Sequence, residues 1–182
     1  MRYQEIVEKW RQKNIRTAED LKQNLSGYKI IFAYNSGAIE NPEITYHNTR
    51  EIFENGRVVN FSGSLRTLYE IENQRRCYDF LIGKIIAKEP VTESLILEIH
   101  RKLMSGTYDE DRWNKGERPG TFKVNDYCVA DGQGALPEEV PQEIAELCDE
   151  LYDIPDRGNN ILNAASYVHC KFENIHPFAD GN

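Results

Sequence analysis

The sequence predicts a mostly α-helical protein with one β-hairpin. Apolar residues recur at spacings of three and four in most segments, which is the period of an amphipathic helix. Apolar and polar residues alternate in only one run, residues 121–129, as in a strand. The 182 residues are 40% apolar and 29% charged, which suits one ordinary globular domain. We therefore predict a single domain over residues 1–182.

Two helices are predicted at the N-terminus. The first covers residues 3–13, where apolar side chains share one face. The second begins at Thr17, and Asp20 stands three residues later, as in a capping box. Leucine and aromatic residues continue its stripe to about Ile39, and a proline three residues further on stops the helix.

Helical spacing continues through the rest of the chain. It predicts a short helix within residues 44–55, a long one from Ser62 or Ser64 to about Ala87, one from Thr92 to Gly106, one opened by Pro137, and a last one starting at Asn160 or Asn163. In the last helix, we expect four residues to face inward: Ile161, Ala165, Val168 and Phe172. The polar stretch from residue 105 to 116 is predicted to be a loop.

The alternating run predicts the hairpin. Phe122 and Val124 alternate with polar residues, and Tyr127 and Val129 do the same. Asn and Asp at positions 125 and 126 suit a turn between them.

Composition excludes several classes of protein. The net charge of −8 argues against nucleic acid as the main partner. No run of 18 apolar residues exists to span a membrane, and the charged first ten residues do not resemble a signal peptide. The four cysteines lack zinc-site or disulfide spacing, so we predict reduced thiols in a cytoplasmic protein.

The last seven residues carry the clearest chemical signal. They read His-Pro-Phe-Ala-Asp-Gly-Asn, residues 176–182. His176 has a side chain that accepts a proton near neutral pH, and Asp180 is a carboxylate of the kind that holds Mg²⁺. Gly181 and Asn182 suit a tight turn whose N–H groups bind an anion. These residues together favour chemistry at a phosphate; the alternative is an ordinary helix end with a Pro/Gly turn.

This string resembles the signature of the Fic family, His-Pro-Phe-x-(Asp/Glu)-Gly-Asn-Gly-Arg. Six fixed positions match, which average residue frequencies predict about once in a million chains of this length. Residues typical of the helix before the signature also match: Ala165, His169, Phe172 and Ile175. The family continues with Gly-Arg, a second Arg and a further helix, whereas this sequence stops at Asn182, so the C-terminal end of the fold is missing from it.

The resemblance implies a Fic-type helical bundle and a protein adenylyltransferase. Such an enzyme transfers AMP from ATP to a Ser, Thr or Tyr hydroxyl of a protein, including itself. His176 would be the general base, and Asp180 would bind Mg²⁺. Phe178 would anchor the loop, and it would form the nucleotide site together with Gly181 and Asn182.

A second motif resembles the inhibitory helix of the same family. Its pattern is (Ser/Thr)-x-x-x-Glu-(Gly/Asn), matched here by Ser36, Glu40 and Asn41. The resemblance implies an N-terminal inhibitory region over residues 1–42, a core over residues 43–182, and autoinhibition by Glu40. The alternative is a solvated helix end. In the family this Glu pairs with the second signature Arg, which this sequence lacks.

The hairpin region also resembles a family feature. The run Arg-Pro-Gly-Thr-Phe-Lys at residues 118–123 is similar to the flap, which binds the target as an added strand. The resemblance therefore assigns Phe122, Lys123 and Val124 to target binding. His100 lies in a family-like Ile-His-x-x-Leu-Met stretch, and both a buried structural role and a catalytic role are open for it.

Two other functions stay open at this stage. One is a catalytically dead module that docks a peptide on the hairpin; the other is a de-AMPylating enzyme in which Glu40 orients a water. Because the signature arginines are missing, we expect residues 1–182 alone to transfer little AMP. The sequence leaves the target, the nucleotide preference and the oligomeric state open.

Overall fold

The computed structural model describes residues 3–129, 132–155 and 160–182, and these residues are mostly helical. The helices are α1 (Tyr3–Gln12), α2 (Ala18–Leu25), α3 (Lys29–Glu40), α4 (Tyr46–Asn55), α5 (Leu65–Ile86), α6 (Glu93–Leu103), α7 (Glu110–Asn114), α8 (Val140–Asp153) and α9 (Ile161–Ile175). Two strands of two residues each, β1 (Cys128–Val129) and β2 (Gly132–Gln133), pair antiparallel. The predicted mostly helical class is confirmed.

The chain divides into two compact units. One contains Met1–Asn14, Val91–Arg101 and Tyr108–Asn182; the other contains Ile15–Pro90 and Lys102–Thr107. The predicted boundary at residue 42, between an inhibitory region and a core, stays a prediction.

Local capping explains where several helices begin. The Thr17 hydroxyl accepts from the Asp20 N–H at 3.1 Å, and the Asp20 carboxylate accepts from the Thr17 N–H at 2.9 Å. This is the predicted capping box, and each such cap is worth about 1 kcal/mol. Ser64 caps α5 in the same manner, because its hydroxyl accepts from the Thr67 N–H at 3.2 Å.

The predicted helix from Thr17 to Ile39 is wrong in one respect, because it is two helices. Residues 26–28 form a turn between α2 and α3. The Ser26 hydroxyl donates to the Gln23 carbonyl at 2.8 Å, and this local bond competes with helix continuation. Gly27 follows, and glycine weakens a helix interior. Beyond the break Phe32 is 71% exposed, whereas Tyr34 packs against an apolar cluster of its unit.

In the second unit, a polar network fixes the end of α3 on α5. The Asn41 amide donates to Thr67 Oγ1 at 3.0 Å and to Glu70 Oε2 at 2.6 Å. The Thr67 hydroxyl donates to Glu43 Oε2 at 2.6 Å. Beside this network lies an apolar cluster of Ile44, Ile52 and Ile71. The last residues of α3 therefore have a fixed place in their unit.

In the first unit, α8 and α9 form the apolar core. Its buried residues are Val140, Ile144, Leu147 and Ile175. Val168 and Phe172 pack against them as predicted, but Ile161 is 54% exposed and Ala165 is exposed, so the expectation that these two face inward is wrong. They line an open apolar groove of about 750 Å³ between α8 and α9. No segment among the described residues covers that groove, which is why the two side chains stay exposed.

The predicted hairpin across residues 122–129 is wrong as well. The described strand pairing joins residues 128–129 to 132–133, beyond the predicted turn at Asn125. Glu117 is the reason, because its carboxylate is 1% exposed and accepts from the N–H groups of Val124 and Asn125. It also accepts from the Asn125 side chain at 2.7 Å and from the Tyr127 hydroxyl at 3.0 Å. These bonds occupy the groups that a strand partner would need.

None of the described helices combines the length and the apolar composition that crossing a membrane requires. The cytoplasmic location stays a prediction.

Glu117→Gln should destabilise the fold by about 2–4 kcal/mol, because an amide N–H₂ would face donors and leave them unsatisfied in a buried place. Urea unfolding at neutral pH measures the change. Glu138→Gln is the control, since Glu138 is exposed and its variant should unfold like the parent. Equal midpoints for both variants would contradict the structural role of Glu117.

Candidate active site

The site begins where α9 ends. Ile175 is the last helical residue, and His176 adopts the left-handed conformation with φ of 50° and ψ of 63°. Proline at position 177 disfavours right-handed helix for the residue before it and carries no N–H. A left-handed non-glycine residue costs about 1–2 kcal/mol, so the surrounding contacts must hold His176 in place.

Asn182 supplies some of these contacts, because its side-chain amide closes the loop formed by residues 176–182. The Oδ1 atom accepts from the Phe178 N–H at 2.8 Å, and Nδ2 donates to the Phe178 carbonyl at 3.0 Å. The same Nδ2 lies 3.0 Å from His176 Nε2. Gly181 allows the tight return with φ of 75°, which a side chain would strain.

These contacts assign the tautomer of His176. Because Asn182 Oδ1 faces an N–H group, its Nδ2 must be the donor toward the imidazole. His176 Nε2 is then the acceptor, and the ring proton of the neutral form is on Nδ1. The Nε2 lone pair is therefore the one that can take a proton from a substrate.

Phe178 anchors the loop in the core, as the resemblance implied. Its side chain is 2% exposed, and its ring stacks on that of His100 with centroids 3.6 Å apart and planes 2° from parallel. Phe122 and Phe172 flank the ring at centroid distances of 6.0 and 6.2 Å.

The contacts of His100 favour a structural role over a catalytic one. Its Nδ1 accepts from the Gly120 N–H at 2.8 Å, so its proton is on Nε2, which donates to the Asp180 carbonyl at 2.9 Å. One ring face is covered by Phe178. Since both nitrogens are used, His100 positions the loop and has no lone pair left for a substrate.

Burial keeps His100 neutral. Desolvation lowers its pKa to about 4, and the Asp180 carbonyl and carboxylate oppose this shift. The neutral ring preserves the acceptor at Nδ1, which the Gly120 N–H requires.

Asp180 makes an ion pair that the sequence did not predict. Its Oδ2 lies 2.9 Å from Arg112 Nη2, with both side chains partly buried. Arg112 is on α7, capped by Asp109, and its guanidinium lies 5.5 Å from the Tyr108 ring centroid. The segment was predicted to be a loop; the N-cap residue Asp109 three positions before Arg112 is the signal that a helix turn begins there.

Asp180 also fits the predicted metal. Within the described residues, no group of three or more His, Cys, Asp or Glu side chains is placed to hold an ion. Magnesium needs no such cage, since it often binds through one carboxylate and the phosphates of its nucleotide. The single Asp180 carboxylate can therefore serve as one such ligand.

The three predicted flap residues occupy different environments. Phe122 belongs to the core around Phe178, and the Lys123 side chain is 2% exposed. The Lys123 N–H donates to the Pro177 carbonyl at 2.9 Å, which ties this segment to the loop. Of the three, Val124 has an exposed side chain, at 56%. An open strand edge formed by these residues is therefore not present.

His176 is half-buried between these elements. Burial lowers its pKa, and the charge of Lys123 lowers it further, while Glu173 and Asp180 oppose the shift. The imidazole is thus predominantly neutral at pH 7, as a general base must be.

The predicted inhibitory residues belong to the other unit. Ser36 and Glu40 are on α3 with exposed side chains, four residues apart and so on one face. Asn41 is the C-cap residue that anchors the helix end to α5. Their inhibitory role stays a prediction.

Comparison with known proteins indicates one family. The model of the Fic/DOC family matches residues 90–182, just over half of the chain. The protein adenylyltransferase fic-1 of Caenorhabditis briggsae is 26% identical over 155 residues, and the protein adenylyltransferase Fic of Drosophila persimilis is 29% identical over 153. These matches cover 84% and 82% of this chain, but only 29% and 28% of those relatives.

Solved structures show the same similarity in three dimensions. A Fic-domain-containing signaling protein from Bacteroides thetaiotaomicron superposes with a TM-score of 0.77 at 28% identity, covering 98% of this chain and 66% of that one. A fragment of Fic-1 from C. elegans superposes with a TM-score of 0.67 at 25% identity, covering 84% of this chain and 43% of that one.

His100→Phe should cost about 2–4 kcal/mol at pH 7, because the Gly120 N–H and the Asp180 carbonyl lose their partners while the stacked ring remains. The parent should also lose stability as pH falls. The folded pKa of about 4 lies below the unfolded value of 6.5, so the unfolded chain binds more protons between these values.

The difference between parent and variant should therefore shrink by about 3 kcal/mol from pH 7 to pH 4. Denaturant unfolding across that range is the measurement. His169→Phe is the matched control, because His169 is exposed on α9 and should show neither effect. A pH-independent difference would mean that His100 is not kept neutral.

Proposed function

Because the chain belongs to the Fic/DOC family, we propose that it is an adenylyltransferase domain that transfers AMP from ATP to a hydroxyl group of a protein. The observation that carries the proposal is the tautomer of His176, whose imidazole has its lone pair on Nε2. His176 presents this lone pair at a loop that Asn182 closes and the Phe178–His100 stack anchors. The relatives that carry the name protein adenylyltransferase support the same activity.

His176 would act as the general base. The target Ser, Thr or Tyr hydroxyl gives its proton to Nε2 as its oxygen attacks the α-phosphorus of ATP. The bond between the α-phosphorus and the bridging oxygen to the β-phosphate breaks, and pyrophosphate leaves. Asn182 now occupies Nε2 as a donor, so the target hydroxyl must replace the Asn182 amide there. That exchange requires no movement of the imidazole itself.

Asp180 would hold the Mg²⁺ that accompanies ATP. When bound, the ion offsets negative charge on the phosphates. Arg112 balances the Asp180 carboxylate at 2.9 Å in this structure and would share or release it when ATP enters. The Asp180 backbone is held independently by His100, so the carboxylate keeps its place during that exchange.

The nucleotide site would lie along the loop. Gly181 and Asn182 would offer backbone N–H groups to the phosphates, and the left-handed Gly181 turns the chain for that purpose. Phe178 contributes from the core, since its buried ring fixes the loop instead of touching ATP. Most of the rate gain would come from such positioning.

The target would bind to the side chain that is exposed in the predicted flap, Val124. Val124 presents its side chain to solvent, next to a backbone that Glu117 and Pro177 hold rigid. We propose that the target segment lies against Val124 and the β1–β2 hairpin. A rigid surface there lowers the entropy cost of aligning the target hydroxyl with His176.

We also propose that Glu40 inhibits the enzyme. A carboxylate that approaches the phosphate site would repel the γ-phosphate and disfavour the productive pose of ATP. The network at Asn41 holds the end of α3 in a defined position, so the preceding Glu40 is presented on a fixed helix end. In this proposal residues 1–42 are the inhibitory region and residues 43–182 are the catalytic core.

The activity is tested by intact mass spectrometry after incubation with Mg-ATP. The sample is residues 1–182 and, in parallel, the longest polypeptide that the gene encodes, because the relatives are much longer than this chain. A mass increase of one AMP on the protein or on an added target supports the proposal. No AMP on either polypeptide or on any target in a proteome lysate would refute it, and loss of AMP from a modified protein would favour the de-AMPylating alternative.

His176→Ala should lower the transfer rate by about 10²–10⁴, the usual contribution of a general base. The rate of AMP incorporation measures the effect, and thermal melts check folding. His169→Ala serves as the control, since that exposed imidazole is on the same helix as the site and should be dispensable. Equal rates for the parent and His176→Ala would remove His176 from the mechanism.

Glu40→Gly should increase AMP transfer by about 5–150-fold, the range of a typical coupling between two sites. The matched control is Glu19→Gly, which introduces the same helix defect at an exposed glutamate of α2. Initial rates and melts of both variants are compared in the polypeptide that shows transfer. If Glu40→Gly only lowers the melting temperature, as the control should, the motif is merely a helix end.

A further inference from the structure

One buried charge near the loop has no partner. The Lys123 side chain is 2% exposed, and its Nζ makes no hydrogen bond within the part of the chain that the structure describes. The same is true of His176 Nδ1. A buried, unpartnered ammonium is costly, and folded proteins rarely retain one without a reason.

Lys123 and His176 both lie close to Gly134. A Cβ atom placed on this glycine would lie 3.0 Å from Lys123 Nζ and 2.9 Å from His176 Cβ. Lys123 Nζ and the Cβ atom of His176 therefore lie against the same face of Gly134, together with the Ile175 carbonyl at 2.9 Å, and a larger residue at position 134 would displace them. Glycine is needed here for close approach and not for its backbone angles.

Backbone hydrogen bonds hold this arrangement from both sides. The Lys123 N–H donates to the carbonyl of Pro177 at 2.9 Å, just after His176. The Ala135 N–H donates to the carbonyl of Ile175 at 3.0 Å, just before it. Lys123 and Gly134 are thus fixed to the residues that flank the imidazole, and a loop fluctuation cannot easily separate them.

We propose that Lys123 is a positioning residue whose buried ammonium keeps the His176 imidazole in its neutral, proton-accepting form. A protonated imidazole would add a second positive charge near the buried ammonium of Lys123, where solvent screens the repulsion less than at the surface. The inference rests on the proposed function, because it concerns the base of that reaction. It also replaces the predicted role of Lys123 as a target-binding residue.

Two other charged groups near His176 raise its pKa. Glu173 on α9 and Asp180 in the loop both favour a protonated ring, although Arg112 offsets much of the Asp180 charge. Burial and Lys123 together outweigh them, so the pKa of His176 is lowered. Without a cation at Lys123, those two carboxylates would be opposed by burial alone.

Two carboxylates oppose the effect of burial on the Lys123 ammonium. Burial lowers the pKa of Lys123, whereas the carboxylates of Asp126 and Glu117 raise it. Glu117 is therefore part of the same arrangement: it folds the segment and supplies negative charge at a distance that sustains the ammonium without pairing with it.

The test is an NMR titration of the histidine side chains in residues 1–182, for the parent and for Lys123→Met. Methionine has a similar length and no charge. We expect the His176 midpoint to move to higher pH, which corresponds to an increase of about threefold or more in its proton affinity. His169, exposed on the same helix, is the internal reference and should not move. The melting temperature should rise, because an uncompensated buried charge has been removed.

Two further variants separate charge from packing. Lys123→Arg keeps the charge and should titrate close to the parent. Lys171→Met removes a paired surface charge from α9, where Lys171 binds Glu150 at 2.7 Å, and should leave His176 unchanged. Where AMP transfer is measurable, the acid limb of its pH profile should move with the NMR midpoint in Lys123→Met.

An unchanged His176 midpoint in Lys123→Met would overturn the proposal, whatever happens to activity. The proposal would also be overturned if the His176 midpoint moved as far in Lys123→Arg as in Lys123→Met. Because the titration needs no substrate, it can succeed even if the protein transfers no AMP, and the two proposals fail separately. If Lys123→Met does not fold, the same titration is made on Lys123→Gln.

Discussion

The stack of Phe178 on His100 is the contact on which the candidate site depends. His100 holds three parts of the chain at once: the Phe178 ring by its face, the Gly120 N–H by one nitrogen, and the Asp180 carbonyl by the other. Only a neutral imidazole of one tautomer can do this, and burial enforces that state. The loop shape, and with it the place of His176, follows from a histidine about 80 residues earlier that touches no substrate.

The cost of this arrangement is concentrated where the chemistry would occur. His176 adopts a left-handed backbone conformation. Among the described residues, neither His176 Nδ1 nor the buried Nζ of Lys123 has a hydrogen-bond partner. A fold optimised for stability alone would replace these with helix continuation and apolar packing. The well-satisfied groups nearby, Glu117 and His100, offset that cost and keep the strained residues in one geometry.

Features that depend on contacts between residues close in sequence could be predicted. Features that depend on contacts between residues far apart in sequence could not. Thr17 and Ser64 cap their helices through bonds to residues three positions away, so these helix starts could be predicted from the sequence. The hairpin at residues 122–129 was predicted from alternation, but Glu117, seven and eight residues earlier, accepts from the N–H groups of Val124 and Asn125. The loop string identified His176 and Asp180, whereas Arg112 and the buried state of Lys123 depend on tertiary packing that no short pattern encodes.

Two groups of the loop have protein partners at the positions where the proposed function places a ligand. Asn182 donates to His176 Nε2, where a target hydroxyl would donate, and Arg112 neutralises Asp180, where a metal ion would bind. In the proposed function, the Asn182 amide stands where another hydrogen-bond donor would bind, and the Arg112 guanidinium stands where another cation would bind. Entry of ATP and target would replace these contacts one for one, so the loop need not create new polar groups or bury unpaired ones. The groups that would exchange, Asn182 and Arg112, are separate from Phe178 and His100, whose stacked rings hold the shape of the loop.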